Sequence, residues 1–152
     1  MPAEAPSWSV RVATTGRDAA RAFVRGTAFE LGVPLGFDRE APSISAMEYA
    51  LGAVGGELVV GFQRAARRRR LEVDTVEATV EARLENALVH LLVVGETGEP
   101  AMQALSARLY VTSPAEPEAL RAAWDEVLRT SPLLATLRRA AVDLDLTLKP
   151  LA

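Results

Sequence analysis

The sequence predicts an α+β domain in which antiparallel sheets surround one long buried helix. Three observations carry that expectation. Strand-like and helix-like segments are segregated along the chain rather than alternating. Residues 47–62 are apolar nearly all the way round a helical wheel, the pattern of a buried helix. The chain has 152 residues, 49% of them hydrophobic and 24% charged, which is enough for a single core. A helix apolar on every side is poorly covered by one small sheet, so a homodimer is expected in which the long helices pack together or are wrapped by both subunits.

The elements follow in order. Trp8, Val10 and Val12 alternate with polar neighbours, as in a half-buried strand. Residues 14–18 (TTGRD) read as a turn, and residues 20–31 as a second strand. Residues 32–42 (GVPLGFDREAP) are punctuated by glycine and proline as a loop. Ser45 and Glu48 have the S-x-x-E spacing of a capping box, which satisfies free N–H groups at a helix start. Within the long helix, Gly52, Gly55, Gly56 and Gly61 each weaken helical structure by up to about 1 kcal/mol relative to alanine. Close approach of another backbone is the expected compensation. Arg64, Arg67, Arg68, Arg69 and Arg70 close the helix, where cations suit its negative end.

Residues 71–84 alternate with a phase slip that a bulge near Asp74 and Thr75 would explain. Residues 87–94 and 101–112, joined across 95–100, read as a hairpin. Ser113 and Glu116 form a second capping-box spacing, with Pro114 just inside the helix start. Leu120, Ala123, Trp124, Val127 and Leu128 then mark one helix face. Ser131 precedes Pro132 as the N-cap of a short helix over 133–140. Val142, Leu144, Leu146 and Leu148 alternate as a last strand. With no repeat and no linker, residues 1–152 are expected to form a single domain.

Composition excludes several functions. The chain has no cysteine and one histidine, so disulfides, thiolate metal sites and cysteine nucleophiles are absent, and no metal site or cofactor is expected. A net charge of -3 gives no general attraction to nucleic acid or anionic membrane. The arginine cluster has no interleaved aromatics and reads as a solvated helix end. The opening MPAEAPSW lacks the basic and apolar regions of a secretory signal, and the longest apolar run holds Glu48, Glu57 and four glycines. A soluble, cytoplasmic protein is the expectation. Trp8, Phe23, Phe29, Phe37, Phe62 and Trp124 are expected in the core or lining a pocket. His90, in VHLLVV, is expected on a strand in a structural or surface role.

The sharpest position is Glu57, a carboxylate deep in an apolar run, which has to be paired, neutralised or turned toward a pocket. It can bind a cationic or hydrogen-bond-donating ligand, act as a general base, or form a buried ion pair. Glu48 is explained by capping and lies half a helical rotation from Glu57, which disfavours a paired-carboxylate site. Ser131 is explained by its N-cap position, and no histidine–carboxylate partner for a catalytic serine is visible.

Three segments carry a resemblance to a known family. Residues 48–61 (EYALGAVGGELVVG) look like the E-L-L-L-A-A-L-A-G-C helix of the OsmC/Ohr family of osmotically inducible and organic hydroperoxide resistance proteins. Residues 130–137 (TSPLLATL) resemble its C-P-V-x-x-x-L segment, and residues 13–18 (ATTGRD) its A-T-G-G-R-D-G turn. The resemblance implies an obligate, intertwined α+β homodimer of a stress-response family. In family peroxidases the helix cysteine attacks the peroxide, the cysteine before proline resolves the sulfenate, and an arginine and a glutamate position the thiolate. Carried over, the two cysteines fall on Glu57 and Ser131, the arginine on Arg17, and the glutamate on or beside Glu48.

Both sulfur positions are therefore lost, and a carboxylate with a hydroxyl cannot cycle through sulfenate and disulfide. No catalytic residue is assigned. The resemblance places Arg17 beside Glu57, as it would stand beside a thiolate, which makes their ion pair the structural reading of Glu57. The expected function is binding of a small apolar or amphipathic molecule in the dimer cleft by Arg17, Glu48, Glu57 and Ser131. The alternatives are a thioesterase-like hydrolase with Glu57 as general base, by analogy with hot-dog folds, and a non-catalytic structural paralogue.

Overall fold

The computed structural model describes residues 5–34, 36 and 43–151. Phe37 and most of the expected 32–42 loop lie outside the described residues. The chain divides into two compact units, Met1–Tyr49 and Ala50–Ala152.

The first unit holds a three-stranded antiparallel sheet of β1 (Arg11–Gly16), β2 (Ala19–Val24) and β3 (Thr27–Leu31), in that order. The expected single strand over 20–31 is thus a hairpin. Arg25 and Gly26 carry φ of 49° and 85°, the left-handed pair that a type I′ turn requires. Arginine stands where asparagine or aspartate would have announced that turn. Arg11 lies over the Phe23 ring, 4.2 Å from its centroid, across directly paired positions. Phe29 packs on Tyr49 with ring centroids 4.8 Å apart. Trp8 is 88% exposed, so the core expectation for that residue is corrected.

Helix α1 (Ala46–Arg68) opens with the expected capping box. The Ser45 N–H and hydroxyl each donate to Glu48 Oε2 at 2.8 Å, and the Glu48 N–H donates back to Ser45 Oγ at 3.3 Å. One face of α1 buries Val54, Leu58, Phe62, Ala65 and Ala66, while Gly52, Ala53, Gly56 and Val60 are exposed. Burial on every side is therefore not achieved within one chain. The glycines also divide. A Cβ on Gly55 would meet Val80 Cγ2 at 3.2 Å, and one on Gly61 would meet Val127 Cγ1 at 3.2 Å. Gly52 and Gly56 have nothing within 4 Å. The close neighbours are the side chains of Val80 and Val127 rather than another backbone.

The second sheet has the order β4 (Thr75–Leu84), β5 (Met102–Thr112), β6 (Asp143–Leu151). Strand β4 alternates strictly between exposed and partly buried residues, and pairs with β5 antiparallel. Leu71 and Val73 precede the strand, so the phase slip is a strand boundary rather than a bulge, and the irregularity in this pair falls at Arg83/Leu84. Strand β6 pairs with β5 in parallel, which corrects the wholly antiparallel expectation. A parallel partner needs a crossover, and α3 (Pro117–Thr130) with α4 (Pro132–Arg139) supplies it. The core of this unit packs Leu58 and Phe62 of α1 with Leu105, Leu109 and Val111 of β5. Leu120, Trp124 and Val127 of α3 and Leu134 of α4 complete it.

Two further expectations change. Residues 87–94 are not a strand. Asn86 accepts the Leu88 N–H at 3.0 Å and caps the one-turn helix α2 (Ala87–His90), while its amide donates to Glu96 and to the Thr97 carbonyl. β4 therefore takes the place beside β5. The second capping box does not form either, since α3 begins at Pro117 after Glu116. Ser113 Oγ instead accepts the Ala115 N–H and donates to the Glu72 carbonyl.

Three helices share one ending. Arg70, Leu92 and Ala141 have φ of 56°, 59° and 59°. The following residues, Leu71, Val93 and Val142, donate N–H to the carbonyls of Ala66, Leu88 and Leu137. These are Schellman closures with ordinary residues at the left-handed position that glycine usually fills.

Candidate functional site

Glu57, Val60, Gly61 and Arg64 follow the i, i+3, i+4, i+7 spacing and so lie along one strip of α1. Val127 and Thr130 face this strip from α3, and Ser131 and Pro132 face it from the junction between α3 and α4. These residues enclose an open cavity of about 210 Å³. Glu57 and Ser131, the two positions on which the resemblance would place the family's cysteines, thus line one cavity. Gly61 shapes its floor, because a side chain there would press on Val127.

The two are satisfied very differently. Ser131 is 5% exposed, and its Oγ accepts the Leu134 N–H at 3.1 Å, the N-cap bond that starts α4. Glu57 Oε1 is shielded from solvent and has no hydrogen-bond partner among the described residues. A buried carboxylate oxygen without a donor forfeits on the order of 1–3 kcal/mol or more.

An adjoining cavity of about 240 Å³ shares Gly61, Arg64, Val127 and Thr130 with the first and reaches Arg68 and Glu126. Glu126 on α3 binds Arg68, and its second oxygen takes Arg69 Nη2 at 3.0 Å. The Arg68 hydrogen bond, helped by the charges of Arg68, Arg69 and Arg129, holds the Glu126 carboxyl below its ordinary range against the opposing effect of burial. The arginine cluster is therefore not simply a solvated helix end, for part of it ties α1 to α3. Arg64 makes no hydrogen bond or ion pair among the described residues.

The other expected site residues belong to the first unit. Arg17 occupies the turn between β1 and β2, next to Asp18 with its φ of 55°. Glu48 is engaged by the Ser45 backbone N–H and then by its hydroxyl, which together lower its pKa. His90 ends α2 rather than sitting on a strand. Among the described residues no group of three acidic or histidine side chains could hold a metal ion, and no helix is long and apolar enough to cross a membrane. Sequence reasoning missed Arg64, Val127 and Thr130 as lining residues. The seven-residue step from Glu57 to Arg64, two helical turns, was the available signal.

Residues 38–147 match the family model described as OsmC-like protein. No curated protein matches the chain. Among solved structures, an OsmC-like protein from Mycoplasma pneumoniae aligns with a TM-score of 0.81 at 10% identity, over 98% of this chain and 100% of that one. An organic hydroperoxide resistance protein OsmC from Legionella pneumophila aligns at 0.65 and 12%, over 93% and 97%. The organic hydroperoxide resistance protein OhrB of Bacillus subtilis aligns at 0.60 and 14%, over 93% and 98%. At these identities the likeness is one of fold.

Proposed function

Since the chain belongs to the OsmC-like protein family yet contains no cysteine, we propose that it is a binding protein that retains the family scaffold without thiol peroxidase chemistry. Reducing a peroxide through a thiol requires a sulfur that becomes a sulfenate and is then resolved. Glu57 and Ser131 offer a carboxylate and a hydroxyl, neither of which can accept the oxygen atom and return it through a disulfide. What persists is the cavity. Its occupant is a small amphipathic molecule whose apolar part lies against Val60 and Val127 and whose N–H or O–H group meets Glu57. The cavity is smaller than the roughly 300–1,000 Å³ of drug-sized sites, which favours a short ligand.

The protein acts as a homodimer in this reading. The exposed strip of Gly52, Gly56 and Val60 on α1 lies beside the cavity residues, so a second subunit set on it would roof the site. The observation that carries the reading is the cavity that Glu57 lines together with the apolar Val60, Gly61 and Val127.

Titration calorimetry with butylamine tests it. Saturable binding is expected, weakened at least tenfold in Glu57→Gln, which keeps the shape and removes the charge. Absence of saturable heat with the wild-type protein, or equal binding by the variant, would refute the reading.

A further inference from the structure

Strand β4 and helix α1 run in opposite directions. The start of β4, at Thr75 and Val76, lines a cavity with Gln63, Ala66 and Arg67 near the C-terminal end of α1. Farther along the strand, Val80 lies against Gly55. Leu84 ends β4 about 13 Å beyond Val80, at roughly 3.3 Å per residue, and so past the level of Gly52. The segment that follows, 85–101, therefore leaves from one end of the helix while the cavity lies at the other. The separation along the axis is on the order of 25 Å.

That segment carries an exposed apolar tip. Leu92 is 87% exposed and Val94 is 99% exposed, with Val93 also exposed between them. The tip is held in place by its own bonds. The Val93 N–H donates to the Leu88 carbonyl at 3.0 Å, the Glu96 N–H donates to the Val93 carbonyl at 3.3 Å, and the Asn86 amide reaches Glu96 and the Thr97 carbonyl. Single exposed apolar residues are ordinary, whereas three in a row on a bonded loop mark an interaction surface. Residues 85–101 also hold Glu85, Glu96 and Glu99 and no lysine or arginine. Such an acidic collar is repelled by anionic membrane and suits a basic partner.

The chain itself carries the complement. Residues 63–71 hold five arginines and no acid. The cavity there, of about 220 Å³, sets the apolar Ala66, Leu71 and Val73 beside Gln63 and Arg67. Its α1 wall continues the exposed strip, because Gly52, Gly56, Val60, Gln63 and Arg67 follow one another in steps of three or four residues and are all exposed. Resting on the dimer reading above, we infer that the Leu92–Val94 tip of each copy seats in this cavity of the other. When two such helices pair antiparallel along the strip, the start of one lies beside the end of its partner, and each tip meets the opposite cavity. A two-fold axis makes both contacts at once and closes the assembly at two chains. Leu92 and Val94 then cover Leu71 and Val73, while Glu96 and Glu99 face the arginines of residues 64–70.

Because the chain has no cysteine, the pair Gln63→Cys and Val94→Cys reports this contact alone. Oxidation of the full-length double variant is expected to give a covalent dimer on a non-reducing gel, while neither single variant does. Within one chain the two positions are too far apart for an internal disulfide, which needs Cα atoms within about 7 Å. Leu92→Ser, at an exposed position, should stay folded by circular dichroism and weaken the dimer at least tenfold in sedimentation equilibrium. If the wild-type protein is a dimer, the lack of a cross-link, or equal dissociation by Leu92→Ser, would overturn the inference and leave the dimer reading standing. A covalent dimer from Val94→Cys alone would place the two tips together and overturn it as well. A monomer mass for the wild-type protein would overturn both.

Discussion

Glu48 and Glu126 accept hydrogen bonds from Ser45 and from Arg68, and both are held below the ordinary carboxylate value of 4.5. A carboxylate whose folded pKa is depressed contributes stability that is complete above its unfolded pKa and is lost as pH falls through the folded value. The loss therefore begins below about pH 4.5 and continues as the medium becomes more acidic. Glu48 is exposed and the arginines that hold Glu126 are themselves solvated, so screening by solvent keeps each contribution small. The expected result is that urea midpoints of Glu126→Gln and Glu48→Gln fall less steeply than wild type between pH 5 and 3. Parallel curves for all three proteins would refute the assignment. Glu57 stands apart because no comparable donor reaches its Oε1, and that contrast among three acids singles it out.

Helix ends show which parts of the fold the residues announce and which they conceal. The start of α1 was legible because Ser45 and Glu48 satisfy backbone groups with their own side chains, and such chemistry is written in residue types. Ser131 was legible for the same reason, and β4 and β6 through the alternation of apolar and polar residues that a half-buried strand requires. The closures at Arg70, Leu92 and Ala141 were not, since any residue can be forced into the left-handed region when the surrounding bonds require it. The hairpin turn at Arg25–Gly26 was hidden likewise. The α2 turn was obscured by the apolar residues of 87–94, which fit a strand by pattern until Asn86 is seen to cap them. At the site, Glu57 stood out as a carboxylate in an apolar run and Ser131 through the family motif, whereas Arg64 was masked by the four arginines that follow it. Ala141→Gly removes a left-handed strain of roughly 1–2 kcal/mol for a non-glycine residue, partly offset by the added freedom of the unfolded chain. A net gain of up to about 1 kcal/mol is expected in equilibrium denaturation; a loss would mean that the Ala141 methyl group contributes packing.

For the molecule as a whole, the exposed strip of α1 is the decisive feature. Glycine at an exposed helix position is unfavourable by about 1 kcal/mol relative to alanine, so Gly52 and Gly56 would be poor choices for a surface that stays in water. They suit a face on which a second helix lies close. Light scattering after size exclusion is expected to give a dimer mass for the wild-type protein and a monomer mass for Gly56→Leu. If the strip were merely solvated, the same change would leave the mass unaltered and raise stability by up to about 1 kcal/mol. The parallel pairing of β6 with β5 has a different consequence, in time rather than space. Residues 143–151 are synthesised after β4 and β5, and the central strand of the second sheet lacks one neighbour until they arrive. Such distant pairing is slow to nucleate. A ribosome-bound chain stalled before residue 143 should therefore remain sensitive to protease across β5, and become resistant only once that stretch has cleared the exit tunnel.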